Sequence, residues 1–131
     1  MEVGMSEKIA FQTDKAAILG GPYSQAIIHN GLIFLSGQGA VNPQTNQVIP
    51  GTIEEETALA LENIRIILEE AGSSINNLLQ VRVYLADIRE YGRFNEVYKR
   101  YFQKDLPART CIQASKLPFD LRVEIDAIGF I

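Results

Sequence analysis

The side chains best suited to chemistry lie near the C-terminal end of this chain. Arg109 follows Pro107-Ala108 at the head of an apolar run. Strand alternation puts Arg109, Cys111 and Gln113 on one side of that run and Thr110, Ile112 and Ala114 on the other. Arginine offers a rigid fork of donors that grips a carboxylate through two hydrogen bonds. In the last apolar run Glu124 stands between Val123 and Ile125, and Asp126 follows. A carboxylate in so apolar a strand must be solvated, paired or used, because burying its charge alone is costly. On residue types alone, ion pairs and exposed faces account for these positions better than catalysis does. If runs 109–115 and 121–130 form a hairpin, a four-residue loop sets Cys111 opposite Glu124, and a loop one residue longer sets them on opposite faces. The sequence leaves both registers open.

Several familiar catalytic patterns are absent. There is no paired CxxC, no HExxH and no P-loop. The one histidine, His29, falls at an expected hairpin and reads as a turn-flanking surface residue. A metal site built from one histidine and scattered acids is not expected. Gly20-Gly21 and Gly37-Gln38-Gly39 are weak as phosphate cradles and are explained by tight turns.

The elements that would position these residues follow from periodicity. Residues 53–71 read as a helix, with Leu61, Ile64, Leu68 and Ala71 forming one apolar stripe. Thr52 and Glu55 fit a capping box, and Gly72 sits where a left-handed cap residue is wanted. A second helix is expected over 90–103, capped by Asp87, with Phe94, Val97, Tyr98, Tyr101 and Phe102 on its buried side and Pro107 beyond its end. Six strands are expected at 8–13, 24–29, 32–37, 79–86, 109–115 and 121–130, with Asn30-Gly31 as a two-residue hairpin turn. Alternation of later strands with helices implies crossovers and some parallel pairing. The expected architecture is a single mixed six-stranded sheet with two helices packed on one face. Residues 1–8 read as a flexible tail and 9–131 as one domain.

Ile27-Ile28 and Leu32 to Leu35 are apolar at consecutive positions, so both faces of those strands look buried. Two helices cover one face only. Another copy of the chain is the simplest cover for the other.

Composition narrows the class. The formal net charge of −4 and the pI near 5.0 give no broad attraction to nucleic acid or to an anionic membrane. A single cysteine excludes an intrachain disulfide and suits a reducing compartment. Neither a secretory signal nor a membrane span is read, so the default location is the cytoplasm, with an organelle matrix as the alternative.

A wider pattern emerges from the order of short segments. Gly21-Pro22-Tyr23-Ser24-Gln25-Ala26, Ser36-Gly37-Gln38 and Asn42-Pro43 come first, then Leu61-Glu62-Asn63-Ile64 and Ala71-Gly72. Val83-Tyr84-Leu85-Ala86-Asp87, Phe94-Asn95-Glu96-Val97-Tyr98, Tyr101-Phe102, Pro107-Ala108-Arg109 and Val123 to Ile128 follow. Jointly they resemble the Rid (YjgF/RidA, reactive intermediate deaminase) family over essentially the whole chain past the tail. The resemblance implies a chorismate-mutase-like α+β fold and a homotrimer with three clefts between subunits. It also implies cofactor-free hydrolysis of 2-aminoacrylate and related 2-enamine or 2-imino acids to 2-oxo acids and ammonia. Carried over by position, Arg109 would hold the substrate carboxylate, Glu124 would position or activate water, and Cys111 would line the pocket. Tyr23, Ser36, Gly37 and Asn95 would complete the substrate-binding cleft. Three residues depart from the family pattern: Gly39, where a larger aliphatic residue is usual, Asp126 for glutamate and Gly129 for alanine. Of these Gly39 is expected to enlarge or loosen the cleft. The rival readings are a non-catalytic metabolite-binding regulatory trimer and an endoribonuclease or translation inhibitor. A Cys111 thiol hydrolase lacks a histidine partner.

Overall fold

The computed structural model describes residues 7–131, so most of the expected tail lies outside the described residues. Six strands, β1 (Ile9–Phe11), β2 (Ala26–His29), β3 (Leu32–Gln38), β4 (Leu78–Leu85), β5 (Ala108–Gln113) and β6 (Val123–Phe130), form one mixed sheet in the order β1-β2-β3-β6-β4-β5. Two helices, α1 (Ile53–Glu70) and α2 (Tyr91–Tyr98), complete the chorismate-mutase-like α+β arrangement. Among the described residues no helix is long and apolar enough to cross a membrane.

Strand alternation decides which face the helices cover. Ile33, Leu35, Val81, Val83, Leu85, Val123, Ile125 and Ala127 are buried on one face and share a core with Leu61, Ile64, Ile67 and Leu68 of α1 and Phe94 and Tyr98 of α2. The four α1 residues are all 0% exposed, and burial of each is worth about 1.5–3 kcal/mol against leaving it in water. Thr52 Oγ1 accepts from Glu55 N at 3.1 Å while Glu55 Oε1 accepts from Thr52 N at 2.9 Å, which satisfies two free N–H groups at the start of α1. Gly72 lies in the left-handed region at φ +86°, just past the helix. Asn30 and Gly31 adopt φ 52° and 77°, as the two-residue β2–β3 turn requires.

The second helix differs from expectation at both ends. Asp87 caps a 3-10 turn, Ile88–Glu90, by accepting from Arg89 N at 2.9 Å, and α2 begins after it at Tyr91. The last turn tightens into a second 3-10 segment, Lys99–Tyr101. Apolar spacing does not distinguish a three-residue from a four-residue hydrogen-bond step at a helix end, which is why the sequence reads as one continuous helix.

The pairing of β5 and β6 also departs from the hairpin considered above. β5 pairs parallel with β4, and β6 inserts antiparallel between β3 and β4. The reason lies in burial. Val123, Ile125 and Ala127 are at most 2% exposed and belong mid-sheet, whereas Thr110, Ile112 and Gln113 remain exposed, as suits an edge. Residues 114–122 therefore cross the end of β4.

Among the described residues nothing covers the face away from the helices. It presents Phe34, Ile112 and Phe130, at 37%, 50% and 43% exposure, beside a polar cluster on β4 and β6.

Candidate active site

The sheet register separates the expected site residues into two groups. Arg109 pairs with Val81, which pairs with Ala127, and Cys111 pairs with Val83, which pairs with Ile125. Cross-strand partners share a face, so Arg109 and Cys111 lie on the helix side. Glu124 pairs with Tyr84, on the open face. Neither loop register of the supposed hairpin applies. The structure brings Arg109, Cys111 and Asn95 together, and separately Tyr23, Ser36, Gly37 and Glu124.

The first group is built around a guanidinium. Arg109 Nη1 donates to Asn95 Oδ1 at 2.8 Å and Nη2 donates to Tyr91 Oη at 2.9 Å. The guanidinium carbon lies 5.5 Å from the ring centroids of Tyr91 and Phe94, and 4.7 Å from that of Tyr98. All four partners come from α2, at spacings that share one helical face. Asn95 thus orients Arg109 through its carbonyl oxygen. Arg65, Arg82, Arg89, Arg93 and Arg122 each pair with a carboxylate. Among the described residues no carboxylate pairs with Arg109. Two of a guanidinium's five donors are thus engaged by neutral oxygens, which leaves its charge and the remaining donors for an anion. Burial pushes the Tyr98 hydroxyl up to about 12, against the opposing pull of Arg109, so it stays protonated. Burial likewise pushes the half-buried Cys111 thiol up, again opposed by Arg109. Cys111 is therefore a neutral thiol at neutral pH rather than a ready nucleophile.

The second group is shaped by a bulge. β3 pairs Leu35 with Ala127 and then Gln38 with Ile125, one residue longer than β6 over the same stretch. Ser36 and Gly37 occupy this irregularity, and such bulges re-aim the residues they contain. Ser36 Oγ donates to Ser24 O at 2.6 Å, and Ser36 N donates to Gln25 O at 2.9 Å, which holds the 24–25 segment against β3. A Cβ at Gly37 would lie 2.5 Å from Glu124 Oε2, so only glycine lets the carboxylate sit there. A Cβ at Gly21 would meet the Tyr23 ring at 2.3 Å, so Gly21 lets that ring lie back. Tyr23, Ser36, Gly37, Pro118 and Glu124 line an open cleft of about 330 Å³.

Glu124 is half-buried, and burial first, then the neighbouring Asp126, raises its carboxyl above the ordinary carboxylate range. Asp126 is itself held by Arg82 Nε at 2.7 Å and the Tyr84 hydroxyl at 3.1 Å. Glu56 fixes where β6 begins. It is 1% exposed, its Oε1 accepts from Arg122 N at 2.8 Å, and its Oε2 accepts from Gly51 N at 3.1 Å. Among the described residues no group of three or more His, Cys, Asp or Glu converges as metal ligands would.

The sequence reading missed Tyr91, Pro118 and Glu56. Tyr91 was open to discovery, since Tyr91, Asn95 and Tyr98 recur at helical spacing. The roles of Pro118 and Glu56 depend on contacts between distant segments and leave no local signal. A Cβ at Gly39 would lie 2.7 Å from Leu121 Cδ1, so Leu121 packs against the backbone at 39, and Gly39 lines a cavity together with Tyr23 and Gly37.

The sequence model described as Endoribonuclease L-PSP matches residues 14–131. This chain belongs to the Rid family. The mouse protein named 2-iminobutanoate/2-iminopropanoate deaminase is 46% identical over 117 residues, covering 89% of this chain and 87% of the relative. Among solved structures, the Rid family protein YyfA from Yersinia pestis superimposes with a TM-score of 0.92 at 33% identity, covering 95% of this chain and all of that one. E. coli TdcF with bound serine gives a TM-score of 0.85 at 35% identity, covering 92% and 96%. Rid membership places the described fold and its two residue groups within a family that includes imine deaminases.

Proposed function

We propose that this Rid protein hydrolyses small 2-enamine and 2-imino acids to 2-oxo acids and ammonia, at clefts that form where the Arg109 group of one copy meets the Glu124 group of the next. The observation that carries this reading is an arginine with no carboxylate partner among the described residues on one face of the sheet and a carboxyl with a raised pKa on the other. Such a site joins two different surfaces. Repeated head to tail, it closes into a ring, here of three copies. The uncovered apolar residues of the open face supply the interface.

The chemistry requires little. An enamine tautomerises to an imine whose C2 is electrophilic. Arg109 holds the substrate carboxylate through the donors that Asn95 and Tyr91 leave free. The imine reacts protonated on nitrogen: ionised Glu124 takes one proton from water as its oxygen bonds to C2 and the C=N electron pair moves to nitrogen, giving a neutral tetrahedral aminoalcohol. Glu124 then gives that proton to the amino nitrogen. The C–N bond breaks with its electron pair leaving on ammonia, and the C2 hydroxyl becomes the oxo group as its proton passes back to Glu124 and from there to the departing ammonia, which leaves as ammonium. Proton transfer of this kind typically contributes ~10²–10⁴-fold, and positioning of the water adds to it. Cys111 lines the cleft as a neutral thiol.

The test is ammonia release from iminopropanoate generated by a serine dehydratase. The protein is expected to accelerate hydrolysis well above the spontaneous rate. An unchanged rate over a wide range of protein concentration sinks the reading. A regulator that binds small carboxylates without turnover would use the same arginine, and the serine held by E. coli TdcF favours that alternative. The same assay separates the two.

A further inference from the structure

We infer that the pocket beside Arg109 is a side-chain pocket, selecting 2-imino acids with bulky apolar side chains over iminopropanoate; this rests on the deaminase reading above. A cavity of about 400 Å³ opens next to the guanidinium, lined by Asn95, Tyr98, Lys99, Phe102, Leu106, Pro107 and Arg109. Its two ends differ in chemistry. Arg109 brings a charge with no carboxylate partner among the described residues. Away from it the Tyr98 ring, the Phe102 ring, Pro107 and Leu106 form a carbon wall, and the one further cation of the lining, Lys99, is held by Glu96 at 2.9 Å.

Leu106 is the telling residue. It is 68% exposed, more than Phe119, Tyr23 or Ile112, although the aromatic residues it shares the lining with, Phe102 and Tyr98, are well buried. The preceding residue, Asp105, holds φ +51°. The backbone thus enters Leu106 from a left-handed residue, a conformation uncommon outside glycine, asparagine and aspartate. An apolar side chain exposed in the single chain at the mouth of an apolar cavity gains by contact with an apolar ligand.

A 2-imino acid carries its carboxylate and its side chain on adjacent positions of a short skeleton. With the carboxylate on Arg109, the side chain can extend along the neighbouring wall. A methyl group covers little of a space this size, whereas isobutyl or benzyl covers much of it. Each methylene moved from water into such a wall is worth about fourfold in affinity. The three extra carbons of isobutyl over methyl then amount to roughly 60-fold at full burial, and roughly eightfold at half burial.

The experiment measures two ratios on the intact assembled protein. Calorimetric titration compares 4-methyl-2-oxopentanoate with pyruvate. Turnover compares the imines that an amino-acid oxidase produces from leucine and alanine, with residual imine trapped as semicarbazone. Both ratios are expected to favour the isobutyl compound by roughly 8–60-fold. Leu106→Asp, at so exposed a position, is expected to fold and to collapse both ratios towards one, with assembly checked by light scattering. Parent ratios near one, or ratios that survive Leu106→Asp, overturn the side-chain pocket while alanine-derived turnover still upholds the deaminase reading. If no imine is hydrolysed, the deaminase reading fails, and the oxo-acid binding ratio alone decides the pocket.

Discussion

Mixing two defective variants tests the division of the site between copies. Arg109→Ala keeps Glu124, and Glu124→Gln keeps Arg109, yet each alone lacks one half of every site. The register puts these residues on opposite faces of one sheet, because Arg109 is aligned with Val81 and Ala127 while Glu124 is aligned with Tyr84. Glu124 lies on β6, flanked by β3 and β4, so no side-chain rotation carries it to the other face, and Arg109 is held on its own face by Asn95 and Tyr91. If the two variants are unfolded together and refolded at equal concentration, subunits assort at random. A site is intact when its arginine comes from the Glu124→Gln copy and its carboxylate from the Arg109→Ala copy. Each condition holds for half of the copies, so about one quarter of all sites recover. The assay is ammonia release from dehydratase-generated iminopropanoate, with each variant refolded alone as the control. Activity near one quarter of the parent's is expected. A mixture no more active than its components, with subunit exchange shown by mass spectrometry, refutes a site shared between copies.

Arg109→Ala is expected to weaken 2-oxo acid binding by roughly tenfold to a hundredfold or more, since a charge-assisted hydrogen bond is worth about 1.5–3 kcal/mol. Arg109→Lys should recover little of that, because a point charge lacks the bidentate fork; calorimetry with 2-oxobutanoate decides both. Glu124→Gln should retain that affinity while kcat falls, and normal turnover in this variant would exclude the general-base role. Because burial and Asp126 raise the Glu124 carboxyl, the active ionised form is lost on acidification at a higher pH than for an ordinary carboxylate. The acid limb of kcat/KM should therefore lie above the usual carboxylate range and move down in Asp126→Asn. Gly37→Ala should displace the carboxylate, as its Cβ would fall 2.5 Å from Glu124 Oε2, and a kcat equal to the parent's would show that Glu124 tolerates displacement. Cys111→Ser should keep substantial activity; complete loss together with a thio-adduct seen by mass spectrometry would restore the thiol as nucleophile.

Much of this protein is determined by its sequence locally. The period of Leu61, Ile64 and Leu68 selects a helix, and Thr52, Glu55 and Gly72 end it, because capping and left-handed geometry depend on residues only a few positions apart. Asn30-Gly31 specifies its turn for the same reason. Strand alternation correctly set Arg109 and Cys111 on one side of their strand. The order of short segments was enough to carry the family resemblance, and with it the naming of Arg109, Glu124 and Asn95.

Tertiary structure alone decided how these pieces meet. Whether β6 lies beside β5 or between β3 and β4 depends on which strand buries more apolar surface, a comparison across the whole chain. That choice turned Arg109 and Glu124 onto opposite faces. It also left Arg109 among Asn95, Tyr91 and Tyr98, without a carboxylate partner among the described residues. Glu124 acquired its raised pKa first from burial, which depends on the segments packed around it, and only second from its sequence neighbour Asp126. The face of a strand residue is a local property with a period of two, but its partner on that face belongs to the register of the sheet.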